Sequence, residues 1–245
     1  MIEFTIRAAG RSVSITAMYE STERFCKDYV CDAKPDFAVR IEPADIEFER
    51  MKSKREDRLE GKRERSFSDA YLETIAVQRK IAEHLFDFDT LLFHGSVIAV
   101  DGVGYLFTAQ SGTGKSTHAR LWRELLGDRA VMINDDKPFL RMENGQVIAY
   151  GSPWNGKHGL GCNGCVPLRA ICILQRGSEN VIEEIDASQA LAMLIQQSQR
   201  PADKSHYPQY MELLDRLSCG TAFYRLACNM NPSAAVVSYE GMSVR

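Results

Sequence analysis

Residues 105–117 read Tyr-Leu-Phe-Thr-Ala-Gln-Ser-Gly-Thr-Gly-Lys-Ser-Thr, and this stretch decides the fold. An apolar strand, Tyr105 to Thr108, runs into a loop bearing two glycines, and a helical segment, Thr117 to Leu126, runs out of it. The pattern is that of a phosphate-binding loop, A/G-x-x-x-x-G-K-S. Gly112 and Gly114 let the backbone curl so that several N–H groups point inward at a polyphosphate. Lys115 sets a cation against the β and γ phosphates, and Ser116 offers a hydroxyl to Mg²⁺. The helix that begins there adds the positive end of its dipole. Ala109, Gln110, Ser111, Gly112, Thr113, Gly114, Lys115, Ser116 and Thr117 are therefore the expected nucleotide-binding residues. The strict pattern has glycine where this chain has Ala109, which serves if its φ is negative.

Upstream, Val97 to Val100 and Tyr105 to Thr108 flank Asp101-Gly-Val-Gly104, a strong hairpin signal. The strand entering the loop is thus the second arm of a hairpin and not part of a parallel βαβ unit. A mixed, partly antiparallel α/β sheet follows. Downstream, Ala130 to Ile133 is a buried strand that ends in Asn134-Asp135-Asp136. An Asp pair at a strand end beside such a loop allows a split of labour, one carboxylate toward Mg²⁺ and the other toward an acceptor hydroxyl. His94 ends the segment Leu91-Leu92-Phe93; a lone histidine there is most often structural. Phe139 to Met142 and Gln146 to Tyr150 form another hairpin around Glu143-Asn-Gly145. Gly151 to Gly164 is a loop with five glycines, containing Pro153-Trp-Asn-Gly-Lys-His-Gly159. It reads as a surface loop around a partly buried tryptophan, or as a mobile lid whose Lys157 reaches a phosphate.

The remaining segments frame this core. Residues 1–65 look like a small β-rich α+β appendage and 66–245 like the nucleotide-binding catalytic domain. Ile2 to Ile6 and Val13 to Met18 suggest a hairpin; Phe37 to Ile41 and Ile46 to Phe48 are further short strands. Residues 50–65 carry eight basic and four acidic side chains and read as a solvated strand or linker, or as a docking face for an acidic partner. A helix is expected over Ser66 to Phe86, capped by Ser66 with Asp69 in its first turn. Arg169 to Gln175 and Val181 to Ile185 read as strands, Ser188 to Gln199 and Tyr207 to Leu217 as helices, and Ala222 to Ala227 and Ala235 to Tyr239 as closing strands.

Composition narrows the function. With 44% hydrophobic and 26% charged residues the chain is ordinary for a globular protein, and a net charge of −3 gives no general attraction to nucleic acid or anionic membrane. No apolar run approaches the roughly 18 residues of a membrane span. Seven cysteines at irregular spacing suit reduced thiols and a cytoplasmic setting. Cys162-Asn-Gly-Cys165 is the one pair with metal-binding spacing; no second pair completes a four-ligand zinc site.

From His94-Gly95 through Ser111-Gly-Thr-Gly-Lys-Ser116 to Asp135-Asp136, with Gly102, Val103 and Gly104 between, the chain resembles the catalytic domain of HPr kinase/phosphorylase. ATP-dependent phosphoenolpyruvate carboxykinase shares that architecture. The resemblance implies that His94 is a catalytic-site histidine, Lys115 the phosphate-binding lysine, Ser116 an Mg²⁺ ligand and Asp136 the base, with Asp135 as its second and a metal ligand. It also implies a homo-oligomer. The match covers about 45 residues and departs elsewhere. The family's larger N-terminal domain is unlike residues 1–90. Its downstream Mg²⁺-binding glutamate has no clear counterpart, Trp154-Asn-Gly-Lys157 standing there instead. Its basic acceptor segment is not recognisable, leaving Arg169 or Arg176 to substitute. The expected activity is that of a cytoplasmic kinase using ATP and Mg²⁺ on a serine-type hydroxyl of a protein or peptide. The alternatives are a small-molecule kinase, for instance on a free amino acid, and a nucleotide-responsive binding module without phosphoryl transfer. Neither nucleic acid nor membrane is an expected partner.

Overall fold

The chain opens on an antiparallel pair, β1 (Ile2–Ala8) and β2 (Arg11–Ala17), joined through Ala9 at φ 47° and Gly10 at φ 76°. Both turn residues are left-handed, as a two-residue hairpin turn requires. A third strand, β3 (Phe37–Arg40), adds parallel to β2. Ile6, Val13, Ile15 and Val39 leave water on this sheet, and helices α1 (Glu20–Phe25), α2 (Pro43–Leu59) and α3 (Asp69–Leu85) complete the region. The computed structural model describes residues 1–157 and 159–243.

Three expectations change here. Ile46 to Phe48 is not a strand, nor are residues 50–59 a linker; both lie in α2. Pro43 occupies the first turn, and Glu42 with Asp45 forms a reciprocal capping box. Those local signals outweigh a three-residue alternation. α3 starts at Asp69, with Ser68 rather than Ser66 accepting the Tyr71 N–H at 3.3 Å.

The chain divides between His84 and Leu85 rather than at 65/66. α3 stays with the first unit because its polar groups are committed there. Fully buried Glu73 accepts from the Met18 N–H at 2.6 Å, the Tyr19 N–H at 3.1 Å and Thr22 Oγ1 at 2.5 Å. Arg79 reaches Glu49 at 2.5 Å and Asp45 at 3.2 Å, while Lys80 reaches Asp45 at 2.6 Å and donates to the Arg40 carbonyl at 2.7 Å.

The second unit, Leu85–Arg245, is an α/β structure on a mixed sheet. Its strands are β4 (Thr90–Leu92), β5 (Ser96–Val100), β6 (Val103–Thr108), β7 (Ala130–Asn134), β8 (Phe139–Glu143), β9 (Gln146–Tyr150), β10 (Cys165–Arg176), β11 (Val181–Ile185) and β12 (Ala222–Cys228). The order is β4-β8-β9-β10-β6-β5-β7, with β12 also on β10 and β11 on β12. The start of β10 pairs antiparallel with β9; after a register shift between Leu168 and Ala170, its remainder lies parallel to β6 and β12. The long strand therefore joins an antiparallel meander to a mostly parallel half. β5 is antiparallel to both β6 and β7, so β6, β7, β10 and β12 end at one edge and β5 begins there.

Alternate residues of the strands face opposite helical layers, so these strands read as near-continuous apolar runs. Ile98, Phe107 and Cys172 pack in one cluster with α4 (Lys115–Leu126) and α7 (Ser233–Ser243). Val97, Leu106 and Ile171 pack in another with α5 (Ala187–Gln197) and α6 (Tyr207–Gly220). Ala235 to Tyr239, expected as a strand, lies inside α7. Asn231 starts that helix by accepting from the Ser233 N–H and hydroxyl, both at 3.1 Å, and the Val-Val pair yields to tertiary packing. No described helix is long and apolar enough to cross a membrane.

His118, buried in α4, shows what this packing does to ionisation. Ser238 Oγ donates its single hydrogen to the Ala234 carbonyl at 2.9 Å or the Ala235 carbonyl at 3.1 Å. Trp122 Nε1 donates to the same oxygen at 2.7 Å, and His118 Nε2 lies 3.0 Å from it, so the buried imidazole has a hydroxyl partner. Burial pushes its pKa from 6.5 down to about 4. The folded value is the lower one, so this contribution is complete above pH 6.5 and is lost as pH falls through 4. We expect acid to remove about 3 kcal/mol through this residue, and His118→Gln to flatten that part of the stability profile. Urea titrations between pH 7 and pH 4 test it; identical pH slopes for the two proteins would refute the assignment.

Candidate functional site

The sheet edge receives five segments: the loop 109–114 after β6, residues 135–137 after β7, His94-Gly95 before β5, Arg176 at the end of β10 and residues 229–230 after β12. In mixed and parallel α/β sheets this carboxyl edge is where ligands bind.

The loop has the backbone its sequence requires. Gly112 has φ 78° and Gly114 φ 118°, and Gly114 is the residue immediately before α4. Ala109 is buried and is not among the described residues of positive φ, so alanine fits that position without strain. The Thr113 N–H donates to the Gln110 carbonyl at 3.2 Å, and the His118 N–H to Gly114 at 2.9 Å. Lys115 Nζ folds back over the loop to the Ala109 carbonyl at 3.3 Å. Arg176, from the neighbouring strand, donates to the Gly112 carbonyl at 2.9 Å. Gln110, Ser111 and Ser116 are exposed, and Thr113 and Thr117 are half-buried.

Three hydrogen bonds pin His94 and the aspartates to the same edge. The His94 N–H donates to Gln197 at 2.8 Å, Thr108 Oγ1 to the His94 carbonyl at 3.0 Å, and the Gly95 N–H to the Asp136 carbonyl at 3.0 Å. His94 Nε2 then lies 3.3 Å from Asp136 Oδ1. Asn134 Oδ1 accepts from the Asp136 N–H at 2.9 Å and the Lys137 N–H at 2.6 Å, which forms the tight turn presenting the pair. Ser96 Oγ, at 3.1 Å, holds the Asp135 carbonyl.

The charges interact. Burial lowers the Lys115 pKa, opposed by the Asp136 carboxylate and reinforced by Lys137. Burial alone would raise Asp136, but the hydrogen bond from His94 and the charges of Lys137, His94 and Lys115 outweigh it and hold the carboxyl below its usual range. Asp136 is therefore ionised at neutral pH. Lys115, Asp136 and His94 form one electrostatic group.

Asp135 is buried and aimed elsewhere. Its Oδ1 accepts the N–H of Gly156, which anchors the glycine-rich loop. The Gly151 N–H bonds the Gly164 carbonyl at 2.9 Å, and the Cys162 N–H bonds Ile133 at 3.1 Å. Trp154 is buried edge-on against Phe139, centroids 6.5 Å apart. The loop is thus pinned along its length, while Lys157 is exposed; His158 lies outside the described residues. The sequence reading missed the Gly156–Asp135 contact. Also unforeseen was Asn155, whose buried Oδ1 has no hydrogen-bond partner among the described residues and lies against Gly161. Neither Cys162 nor Cys165 is in a disulfide, and no group of three or more metal-ligating side chains occurs among the described residues. Arg169 lies in the register shift of β10, away from the loop that Arg176 touches.

The family model described as SynChlorMet cassette protein ScmC matches residues 64–240. No curated protein matches the chain. Among solved structures, the chain is similar to the HPr(Ser) kinase/phosphatase from Coxiella burnetii. Identity is 12% and the TM-score 0.37; the match covers 61% of this chain and 95% of that one. The chain belongs to the ScmC family.

A Cβ built on Gly156 would lie 2.8 Å from Asp135 Oδ2. Gly156→Ala should cost about 1–3 kcal/mol, the usual penalty for forcing a methyl into a filled site. The loss should shrink in an Asp135→Ala background, because the two residues are in contact. Thermal denaturation of the four proteins measures this, and strictly additive losses would show that the two do not touch.

Proposed function

We propose that this member of the ScmC family is an ATP- and Mg²⁺-dependent phosphotransferase that phosphorylates a serine-type hydroxyl of a protein or peptide. The observation that carries the reading is the grouping of Lys115, His94 and ionised Asp136 around a loop whose Gly112 and Gly114 are left-handed. The backbone N–H groups of 110–116 and the Lys115 ammonium would hold the β and γ phosphates at the amino end of α4. Mg²⁺ suits the donor set: Ser116 and Asp135 line one cleft, and this ion takes one or two protein oxygens and completes its shell with phosphate and water. When bound, it neutralises charge on the phosphate oxygens.

His94 engages Asp136 Oδ1, which leaves Oδ2 for the acceptor. The acceptor oxygen attacks the γ-phosphorus, the bond to the β–γ bridging oxygen breaks, ADP departs with that electron pair, and the hydroxyl proton passes to Asp136. A carboxylate with a depressed pKa is a weak base. That is sufficient here, because phosphoryl transfer through a loose transition state asks chiefly for orientation. None of the seven cysteines is in a disulfide, which supports a reducing cytoplasmic setting.

A second reading has its own observation. The Asp135 carboxylate is engaged by Gly156 N–H, and a chain in which that contact persists would bind nucleotide without transferring phosphate. Radiolabelled ATP with cell extract separates the two. The wild type should label a product, Asp136→Asn should lower the rate by about 10²–10⁴-fold, and Lys115→Met should lose nucleotide binding. Equal labelling by wild type and Asp136→Asn would refute the catalytic assignment, and ATP binding without turnover would favour the second reading.

A further inference from the structure

Three clefts adjoin the loop or the helix that follows it. One, of about 510 Å³, runs past Gln175, Arg176 and Met193, and a second, of about 480 Å³, past His118, Leu121 and Asn229. Both include Gly112 and Thr113, and neither includes an aspartate. The third, of about 400 Å³, begins at Ser116 and Asp135 and continues along α4 past Arg120 and Arg123, with Met132 and Leu160 on its apolar sides. It is the cleft that holds both expected Mg²⁺ ligands, Ser116 and Asp135, while Asp136 is not among its lining residues.

Arg120 and Arg123 are one turn apart and share a face of α4. Arg120 pairs with Glu124 at 2.5 Å, with both side chains more than half exposed; such a pair contributes little and is readily exchanged for another anion. Arg123 is half-buried, and its side chain has no hydrogen-bond or ion-pair partner among the described residues. A guanidinium without an anion is an unused fork of donors, shaped for a carboxylate. Leu160, 41% exposed, projects from the glycine-rich loop on the other side.

We infer that the acceptor is a peptide segment carrying an acidic side chain near its hydroxyl residue, and that Arg123, assisted by Arg120, binds that carboxylate. The inference rests on the kinase reading above and names the substrate class it would act on. Arg123 is then a specificity-determining residue, whereas nucleotide binding belongs to the loop.

The test uses a positional-scanning library of C-terminally amidated peptides with a fixed central serine, the full chain, Mg²⁺ and [γ-³²P]ATP. Asp or Glu should be enriched at a flanking position. Arg123→Gln should raise the KM for the selected acidic peptide about tenfold, as expected for one lost charge-assisted hydrogen bond, with ATP affinity by calorimetry unchanged. Arg123→Glu should turn the preference toward Lys. Labelling without acidic preference, or Arg123→Gln with unaltered selectivity, overturns the inference and leaves the kinase reading standing. Fluorescence anisotropy of the acidic library members covers the converse: peptides bound through Arg123 but never labelled would retain the cleft assignment and overturn the kinase reading. Neither labelling nor acidic-peptide binding would overturn both.

Discussion

One reversed strand governs the site. β5 runs antiparallel between β6 and β7, so its beginning meets their ends. Because strand partners sit about 5 Å apart, residues remote in sequence become neighbours. Thr108 holds the His94 carbonyl, Gly95 holds the Asp136 carbonyl and Ser96 holds the Asp135 carbonyl. Were β5 parallel to β6, His94 would leave from the opposite edge and the His94–Asp136 pair could not form. One backbone amide and two short hydroxyl side chains, all acting on main-chain carbonyls, thus set the positions of His94, Asp135 and Asp136.

Electrostatics then follow from burial. Lys115 loses stability as a cation because it is partly withdrawn from water, and Asp136 gains as an anion because cations surround it. The two aspartates, adjacent in sequence, diverge in the turn that Asn134 closes just beyond β7. Asp136 turns to His94 and Asp135 to Gly156. The proposed division of labour between them has that geometric basis.

The legible parts of the sequence were those with strong local signals. The 97–108 hairpin, the mixed sheet, the strand before Asp135 and the helix after the glycine loop all lie where turn chemistry and apolar patterning put them. Errors came where local signals were short. Ile46-Glu-Phe48 alternates too briefly to compete with a proline start and capping box, and Val236-Val237 favours strand intrinsically but is overruled by packing against α4 and β11. The unit boundary was misplaced because nothing in Glu73 or Arg79 as residues tells which partners they will find. The contacts of Asn155, Gly156 and Arg176 were hidden for the same reason.

The sequence by itself determined the loop: its glycines at 112 and 114, its lysine, the hairpin before it and the helix behind it. These are short-range choices, fixed by allowed backbone angles and the period of apolar residues. Only the tertiary structure decided that His94 reaches Asp136, that Asp135 is engaged by a glycine amide 21 residues further on, and that Arg123 borders the same cleft as Ser116. Such juxtapositions depend on strand order and direction, and the free energy that selects them is spread over the whole buried sheet rather than written at any one position.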